Sequence, residues 1–367
     1  MENFLQNLLF QDCNVTHIAI STQKHPFDKM DYPKAILQRI KCSSVEIDTR
    51  IKPINALFSL FKKSSYHIDR FYSPALIQKI KELLHQQSFD CIILDSLYST
   101  AHLPEIKSLF RGNIFIRTHN VESEIWRDLA QNEKNSIKKL ILGKLAKDLK
   151  LYEIKTLNKA DGIISISKDD VSIFERIGVS TKKCVVSVSI PTNNVVNNYE
   201  ANDLFHIGAM NWKPNKEATD RLINLFPNIS NQTNSKLHLA GSHFPENMKV
   251  SGEITIHGFV ENIFEFAIEC GILITPIISG SGVRIKILEM MSAGIPVITT
   301  EKGAAGIEYQ SKDCLIIADT DQQIVSESIL LIKNKERRME IGKNSRSYIQ
   351  NNHSIEKISQ QLIEFIR

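Results

Sequence analysis

The chain has 367 residues, of which 42% are hydrophobic and 23% charged, enough material for two α/β cores of ordinary size. No apolar run approaches the ~20 residues needed to cross a bilayer, which excludes an integral membrane protein. A formal net charge of +4 is too small to point to nucleic acid. The cysteines Cys13, Cys42, Cys91, Cys184, Cys270 and Cys314 stand singly. With no CxxC pair and no His at ligand spacing, they read as reduced cytosolic thiols and exclude a zinc framework.

Residues 1–10 read as the end of an amphipathic helix, with an acid and no cleavable small-residue site, so no secretory leader is expected. Short β-branched runs then alternate with amphipathic stretches, the pattern of βαβ units and a parallel sheet. The strands predicted for a first domain are Val15–Ser21, Val45–Asp48, Cys91–Leu94, Ile114–Arg117, Gly162–Ser165 and Val185–Val188. That domain is expected over 1–190, and a Pro- and Asn-containing linker over 191–203. A second series, Leu204–Gly208, Lys236–Ala240, Ile254–Ile256, Gly271–Thr275, Val297–Thr299 and Leu315–Ile317, defines a domain over 204–350. The closing helix, within 351–367, carries an apolar stripe at Ile355, Ile358, Leu362 and Ile366 that must pack on something, the first domain being the candidate. Two doubly wound domains bind ligands outside the carboxyl ends of their strands.

Between Lys134 and Lys159 there are eight lysines against two acids, with Ile137, Leu140, Ile141, Leu145 and Leu149 on a helical stripe. One reading is a solvated helix whose apolar face packs on its domain. The other is a basic patch that meets an anionic membrane.

The most informative stretch runs from Thr275 through Gly280, Ser281, Gly282, Val283, Arg284, Lys286 and Glu289 to Gly294 and Pro296. A strand ends near Pro276, a small-residue loop follows, and a helix is expected to Ala293. Gly280 and Gly282 permit close backbone approach, and the free N–H groups at the helix start favour an anion such as a diphosphate. Arg284 and Lys286, expected in the first turn, oppose the helix dipole, so something negative should compensate them. Glu289, at i+3 from Lys286, either pairs with that lysine or accepts hydrogen bonds from ribose hydroxyls.

Here the sequence resembles glycosyltransferase family 4 (group 1), whose C-terminal domains carry GxGxRxKxxEAMAxGxPVV. Phe205–Asn215, Leu237–Gly241, Ile256–Val260 and Gly303–Gly306 follow the same family in order. The resemblance implies a GT-B fold of two Rossmann-like domains facing across a cleft. It also implies Arg284 and Lys286 neutralising the donor diphosphate, Glu289 on the ribose and Gly258, Phe259 and Val260 bordering the base. Gly208, Asn211, Gly280, Ser281, Gly282 and Val283 complete the donor set. Many members have a sugar-contacting glutamate at the position of Ser281. Members also usually open with a strand and a glycine loop, so the N-terminal domain is expected to lack its first strand.

In Ile114–Trp126 a strand runs into a His-Asn-Val-Glu loop, placing His119 at a carboxyl end. The resemblance puts this histidine near the donor sugar, while Glu122 either orients it, binds the acceptor or serves as a helix-start carboxylate. Asp319-Thr320-Asp321 is the one late Asp-x-Asp triplet and reads as a helix cap, so no metal and no cofactor are expected. The sum is a metal-independent glycosyltransferase, retaining by resemblance. It uses a UDP- or GDP-type nucleotide sugar and a glycan or lipid-linked acceptor, with no nucleic acid, in the cytoplasm or at the inner face of the membrane. The alternatives are a non-catalytic nucleotide-sugar-binding subunit and a dinucleotide oxidoreductase. The second lacks its GxGxxG after the first strand.

Overall fold

The computed structural model describes residues 1–50, 65–191, 197–246, 248, 250–280, 282–309 and 313–367. It divides into unit 1, Met1–Ser187 with Ile358–Arg367, and unit 2, Val188–Lys357. Part of the linker expected at 191–203 lies outside the described residues, as does Ser281.

Unit 1 opens with helix α1 (Glu2–Phe10), which buries Phe4, Leu5, Leu8 and Leu9. Its strands are β1 (Val15–Ser21), β2 (Ile40–Glu46), β3 (Cys91–Asp95), β4 (Asn113–Thr118), β5 (Gly162–Ser165) and β6 (Lys183–Val185). The helices that concern the site are α2 (Pro74–Gln86), α3 (Glu122–Asn132) and α4 (Ser136–Leu157). All pairings are parallel, in two groups, β1-β2 and β3-β4-β5-β6. β1 and β3 do not pair with each other, and a cavity of about 2680 Å³ is lined by Val15–Ile20 and Cys91–Asp95, with Phe4, Leu8, Leu76 and Ile80 also in its wall. β4 and β5 are fully buried beyond Asn113, whereas most of β1 and β3 is half-buried.

Two predicted strands are displaced. β2 spans 40–46 rather than 45–48, because pairing with β1 from Val15↔Ile40 to Ser21↔Glu46 recruits the polar run Lys41–Ser44, which has little strand signal of its own. β6 ends at Val185 rather than Val188, near where the chain passes into unit 2. The apolar stripe on α4 also divides. Ala146, Leu149 and Leu157 are buried, but Ile137, Leu140 and Ile141 are exposed, so the stripe packs on its domain only in its C-terminal half.

In unit 2 the strands β7 (Asp203–Ile207), β8 (Leu237–Ala240), β9 (Ile254–Gly258), β10 (Gly271–Thr275), β11 (Val297–Thr299) and β12 (Ile316–Ile317) form one parallel sheet in the order β12-β11-β10-β7-β8-β9. β10 lies inside and is buried throughout, which is why its sequence is a continuous apolar run rather than an alternating one. Helices α5 (Lys213–Ser230), α6 (Ile285–Ser292) and α7 (Asp321–Lys333) cover it. The last helix, α8 (Ile355–Ile366), buries Ile358, Leu362 and Ile363 in a cluster with Phe4, Leu8, Phe115 and Ile164 of unit 1. Each such side chain contributes about 1.5–3 kcal/mol of transfer free energy.

Candidate functional site

The unit 2 site is built at the carboxyl edge of its sheet, where a doubly wound fold offers loop and helix-start N–H groups to a ligand. After β10 the chain is held at two points: Thr300 Oγ donates to the Ile277 carbonyl, and Ser279 Oγ donates to Glu217 Oε2 on α5 at 2.5 Å. Gly280 and Gly282 have φ of +88° and +82°, a region that disfavours side chains. A Cβ on Gly280 would also come within 3.2 Å of the Arg284 guanidinium.

Helix α6 starts at Ile285, so Arg284 is the N-cap residue and not part of the first turn. Its guanidinium is buried, donates to the carbonyls of Gly282 (2.8 Å) and Ser279 (3.3 Å), and lies 5.5 Å from the Trp212 ring centroid. Arg284 thus fastens the glycine loop as well as bringing a positive charge to it. Burial lowers its pKa.

Lys286 lies deeper. Its Nζ donates to the Ile207 carbonyl at 2.7 Å and to Asn215 Oδ1 at 2.9 Å. Burial, then the Arg284 charge, push its pKa down to about 7. Among the described residues no carboxylate forms an ion pair with it. Glu289 in particular does not, and the pKa of that half-buried carboxyl is raised by burial alone. Of the two sequence readings for Glu289, the ion pair with Lys286 is therefore absent. His206, on β7 and fully buried, has Nδ1 2.9 Å from the Ile274 carbonyl, and burial holds it neutral.

Asn215 was not among the expected residues. Its Oδ1 accepts a hydrogen bond from the Lys286 ammonium, its Nδ2 donates to the Ala209 carbonyl at 3.2 Å, and it explains Gly208, where a Cβ would lie 2.4 Å from the Asn215 side chain. Gly241 has the same logic, since a Cβ there would fall 2.0 Å from the Gly208 carbonyl oxygen. Asn211 is exposed in the turn before α5. Gly258, at φ +66°, follows a register shift between β8 and β9; beyond it Phe259 is 77% exposed while Val260 and Val283 pack on the core. The triplet 319–321 is used structurally: Asp319 accepts the Glu301 N–H, Thr320 caps α7, and Asp321 pairs with Arg221 at 2.7 Å.

Unit 1 carries a separate polar cluster. β4 delivers Arg117 and His119 to its carboxyl end, and the in-register neighbour of Arg117 on β3 is Asp95. Asp95 Oδ1 lies 2.8 Å from both Arg117 Nη1 and His119 Nε2. Burial alone would raise the Asp95 pKa, but the His119 hydrogen bond and the Arg117 charge hold it down at about 2. Asp95, not Glu122, is therefore the partner of His119. Glu122 accepts the Tyr98 hydroxyl proton at 2.7 Å, and burial raises its pKa. The start of α3 is held by Glu153 of α4, which accepts from Glu122 N (3.0 Å), Ser123 N (3.3 Å) and Ser123 Oγ (2.5 Å) and whose pKa burial pushes up to about 7.

Two parallel-sheet Rossmann-like units, one bearing a glycine loop, buried cations and a helix start at its carboxyl edge, have the architecture of GT-B glycosyltransferases. Residues 201–334, within unit 2, match the family model described as "Glycosyl transferases group 1". An uncharacterized 44.6 kDa protein in the cps region of Klebsiella pneumoniae is 24% identical over 358 residues, covering 92% of this chain and 88% of that one. Among solved structures, sucrose-phosphate synthase from Thermosynechococcus elongatus superimposes with a TM-score of 0.68 at 12% identity, over 98% of this chain and 90% of that one. Anabaena Alr3699/HepE in complex with UDP and glucose gives 0.64 at 13% identity, over 99% and 94%. WaaG, a glycosyltransferase involved in lipopolysaccharide biosynthesis, gives 0.64 at 14%, over 99% and 95%. At these identities the structural likeness establishes the fold.

Proposed function

We propose that the chain is a retaining, metal-independent glycosyltransferase of family 4 type that moves a sugar from a UDP- or GDP-linked donor to a glycan or lipid-linked acceptor. The observation that carries this reading is Lys286. An inward-turned ammonium bonded to a carbonyl and an amide, without a carboxylate partner among the described residues, in the first turn of the helix that follows a glycine loop, is arranged for an anion that arrives from solution. A nucleotide diphosphate supplies two adjacent phosphates, and Lys286, Arg284 and the α6 N–H groups stabilise the charge that grows on the leaving diphosphate. Each charge-assisted hydrogen bond contributes about 1.5–3 kcal/mol. No metal is invoked. Glu289 is assigned to the ribose, and Gly258 to Val260 to the base. His119, its ring fixed by Asp95 through Nε2, is assigned to the sugar-transfer step.

UDP in the Alr3699/HepE complex favours a uridine donor, and the cps-region relative favours a role in cell-surface polysaccharide or glycolipid assembly. A lipid-linked acceptor would bring the enzyme to the cytoplasmic face of a membrane. Among the described residues no helix is long and apolar enough to cross one.

Changing Arg284 and Lys286 together to Ala is expected to abolish transfer while the far-ultraviolet circular dichroism stays that of the parent. Normal turnover in that variant would remove the donor-site assignment. A second reading, a nucleotide-sugar-binding subunit without transferase activity, draws on the interrupted sheet of unit 1 and its cavity. Product formation with any donor and acceptor rules it out.

A further inference from the structure

Strand β9 carries one residue more than its partner at the carboxyl edge. β8 and β9 pair Leu239 with Ile256 and Ala240 with Gly258, so His257 is the extra residue of a β-bulge and opposes no residue of β8. A bulge disrupts the ladder locally and re-aims a side chain. Here the redirected side chain meets His238 of β8: His238 Nδ1 and His257 Nε2 stand 2.9 Å apart.

The other ring nitrogen of His238 is already engaged. Asp203, at the start of β7, accepts from His238 Nε2 at 3.2 Å with Oδ2, while its Oδ1 accepts the Lys236 N–H at 2.7 Å. An ionised carboxylate only accepts, so neutral His238 carries its proton on Nε2 and presents a lone pair at Nδ1. Both imidazoles also stand edge-on to Phe266 of the helix Ile263–Cys270, with ring centroids 6.4 Å and 5.1 Å away, which restrains their planes. His257 is exposed on the edge strand, so the point where the two nitrogens meet is reached from solvent.

Imidazole nitrogens suit late first-row divalent ions, and a carboxylate on the far ring nitrogen of a ligating histidine fixes its tautomer and raises its basicity. Spacing selects the geometry. With metal–nitrogen bonds of about 2.0 Å, neighbouring ligands of a square-planar ion lie about 2.8 Å apart and those of a tetrahedral ion about 3.3 Å. The observed 2.9 Å is nearer the first. Among the described residues no group of three or more His, Cys, Asp or Glu side chains is placed to hold a metal, so water fills the remaining positions.

We propose that His238 and His257 form a site for a divalent cation of the Cu²⁺ or Ni²⁺ type, with Asp203 as the positioning residue behind His238. In the free chain His257 donates its Nε2 proton to His238 Nδ1. When the ion enters, that proton is carried on His257 Nδ1 instead, and both rings stay neutral. The ion ties β8 to β9 across the bulge, directly before Gly258. Among the described residues neither ring bonds to Arg284, Lys286 or the glycine loop. The proposal is therefore independent of the donor-site reading and adds no metal to the transfer step.

The test is calorimetry of the untagged full chain with the chlorides of Cu²⁺, Ni²⁺, Zn²⁺ and Mg²⁺, without sugar nucleotide. One tight site per chain is expected, strongest for Cu²⁺, weaker for Ni²⁺ and Zn²⁺ and absent for Mg²⁺. His257→Gln should abolish it, and Asp203→Asn should weaken it about 10–100-fold, with melting temperatures close to the parent's. A second measurement needs no variant: Ni²⁺ should protect His257 of the parent chain from diethyl pyrocarbonate, read by peptide mass spectrometry. The proposal is overturned if neither Cu²⁺ nor Ni²⁺ binds, or if folded His257→Gln or Asp203→Asn binds as the parent does. It is equally overturned if Ni²⁺ leaves His257 as reactive as before. None of these outcomes touches the donor site, which is measured separately with nucleotides.

Discussion

A lysine whose pKa is pushed down to about 7 in the free protein must regain its proton when a diphosphate arrives, because an adjacent anion favours the charged form. UDP binding should therefore take up protons above neutrality. Near pH 8 a group with that pKa is only about one-tenth protonated, so uptake should reach about 0.9 proton per UDP, provided the bound pKa lies well above that pH. The same linkage makes affinity fall about fivefold between pH 7 and pH 8. Calorimetry of UDP in two buffers of different ionisation enthalpy reads the proton count directly. Lys286→Met should bind UDP more weakly and lose the buffer dependence. In the free protein the sign is equally definite: the folded pKa lies below the unfolded value of 10.5, so the unfolded chain holds more protons between about 7 and 10.5 and stability rises with pH across that window. Buffer-independent heats in the parent, or unchanged proton uptake in Lys286→Met, would show that this ammonium is not the diphosphate's partner.

Gly208→Ala places a Cβ 2.4 Å from the Asn215 side chain. It should destabilise the protein by about 1–3 kcal/mol and weaken UDP binding, as read by urea denaturation and calorimetry; a full-strength site would contradict the role given to Asn215. Glu153→Ala strips three hydrogen bonds from the start of α3 and should lower unfolding free energy by about 3 kcal/mol. A loss under about 1 kcal/mol would mean that the cap is not needed. His119→Ala should reduce kcat by about a hundredfold or more with nucleotide Kd unchanged, and Asp95→Asn should reduce it less, in the same direction. Weakened UDP binding in either variant would count against placing the pair in the transfer step.

The unit 2 strands were legible because the buried strands of a parallel sheet are short apolar runs bounded by turn residues, and β10 is such a run in full. Arg284 and Lys286 stood out because cations at a helix start need an explanation. What the sequence could not show was their partners. Asn215 lies 71 positions from Lys286 and sits on another helix, and only the collision at Gly208 reveals why a glycine precedes it. Asp95 was missed because an acid at the end of a strand looks like turn punctuation until register sets it beside Arg117. β2 was misplaced for a related reason, its polar half being fixed by pairing with β1 rather than by its own propensity. The exposed tip of α4 shows the limit of periodicity: a stripe at helical spacing says which residues share a face, not whether anything covers it.

The most direct measurement is thermal unfolding of the parent chain and of the Arg284→Ala, Lys286→Ala double variant in the presence of UDP-, GDP-, ADP- and CDP-sugars. A UDP- or GDP-sugar at about a hundred times its Kd should stabilise the parent by about 2.7 kcal/mol and leave the variant's melting temperature where it was. If none of the four nucleotides stabilises the parent, or if the variant is stabilised equally, these cations do not hold a sugar nucleotide and the account of this site is wrong.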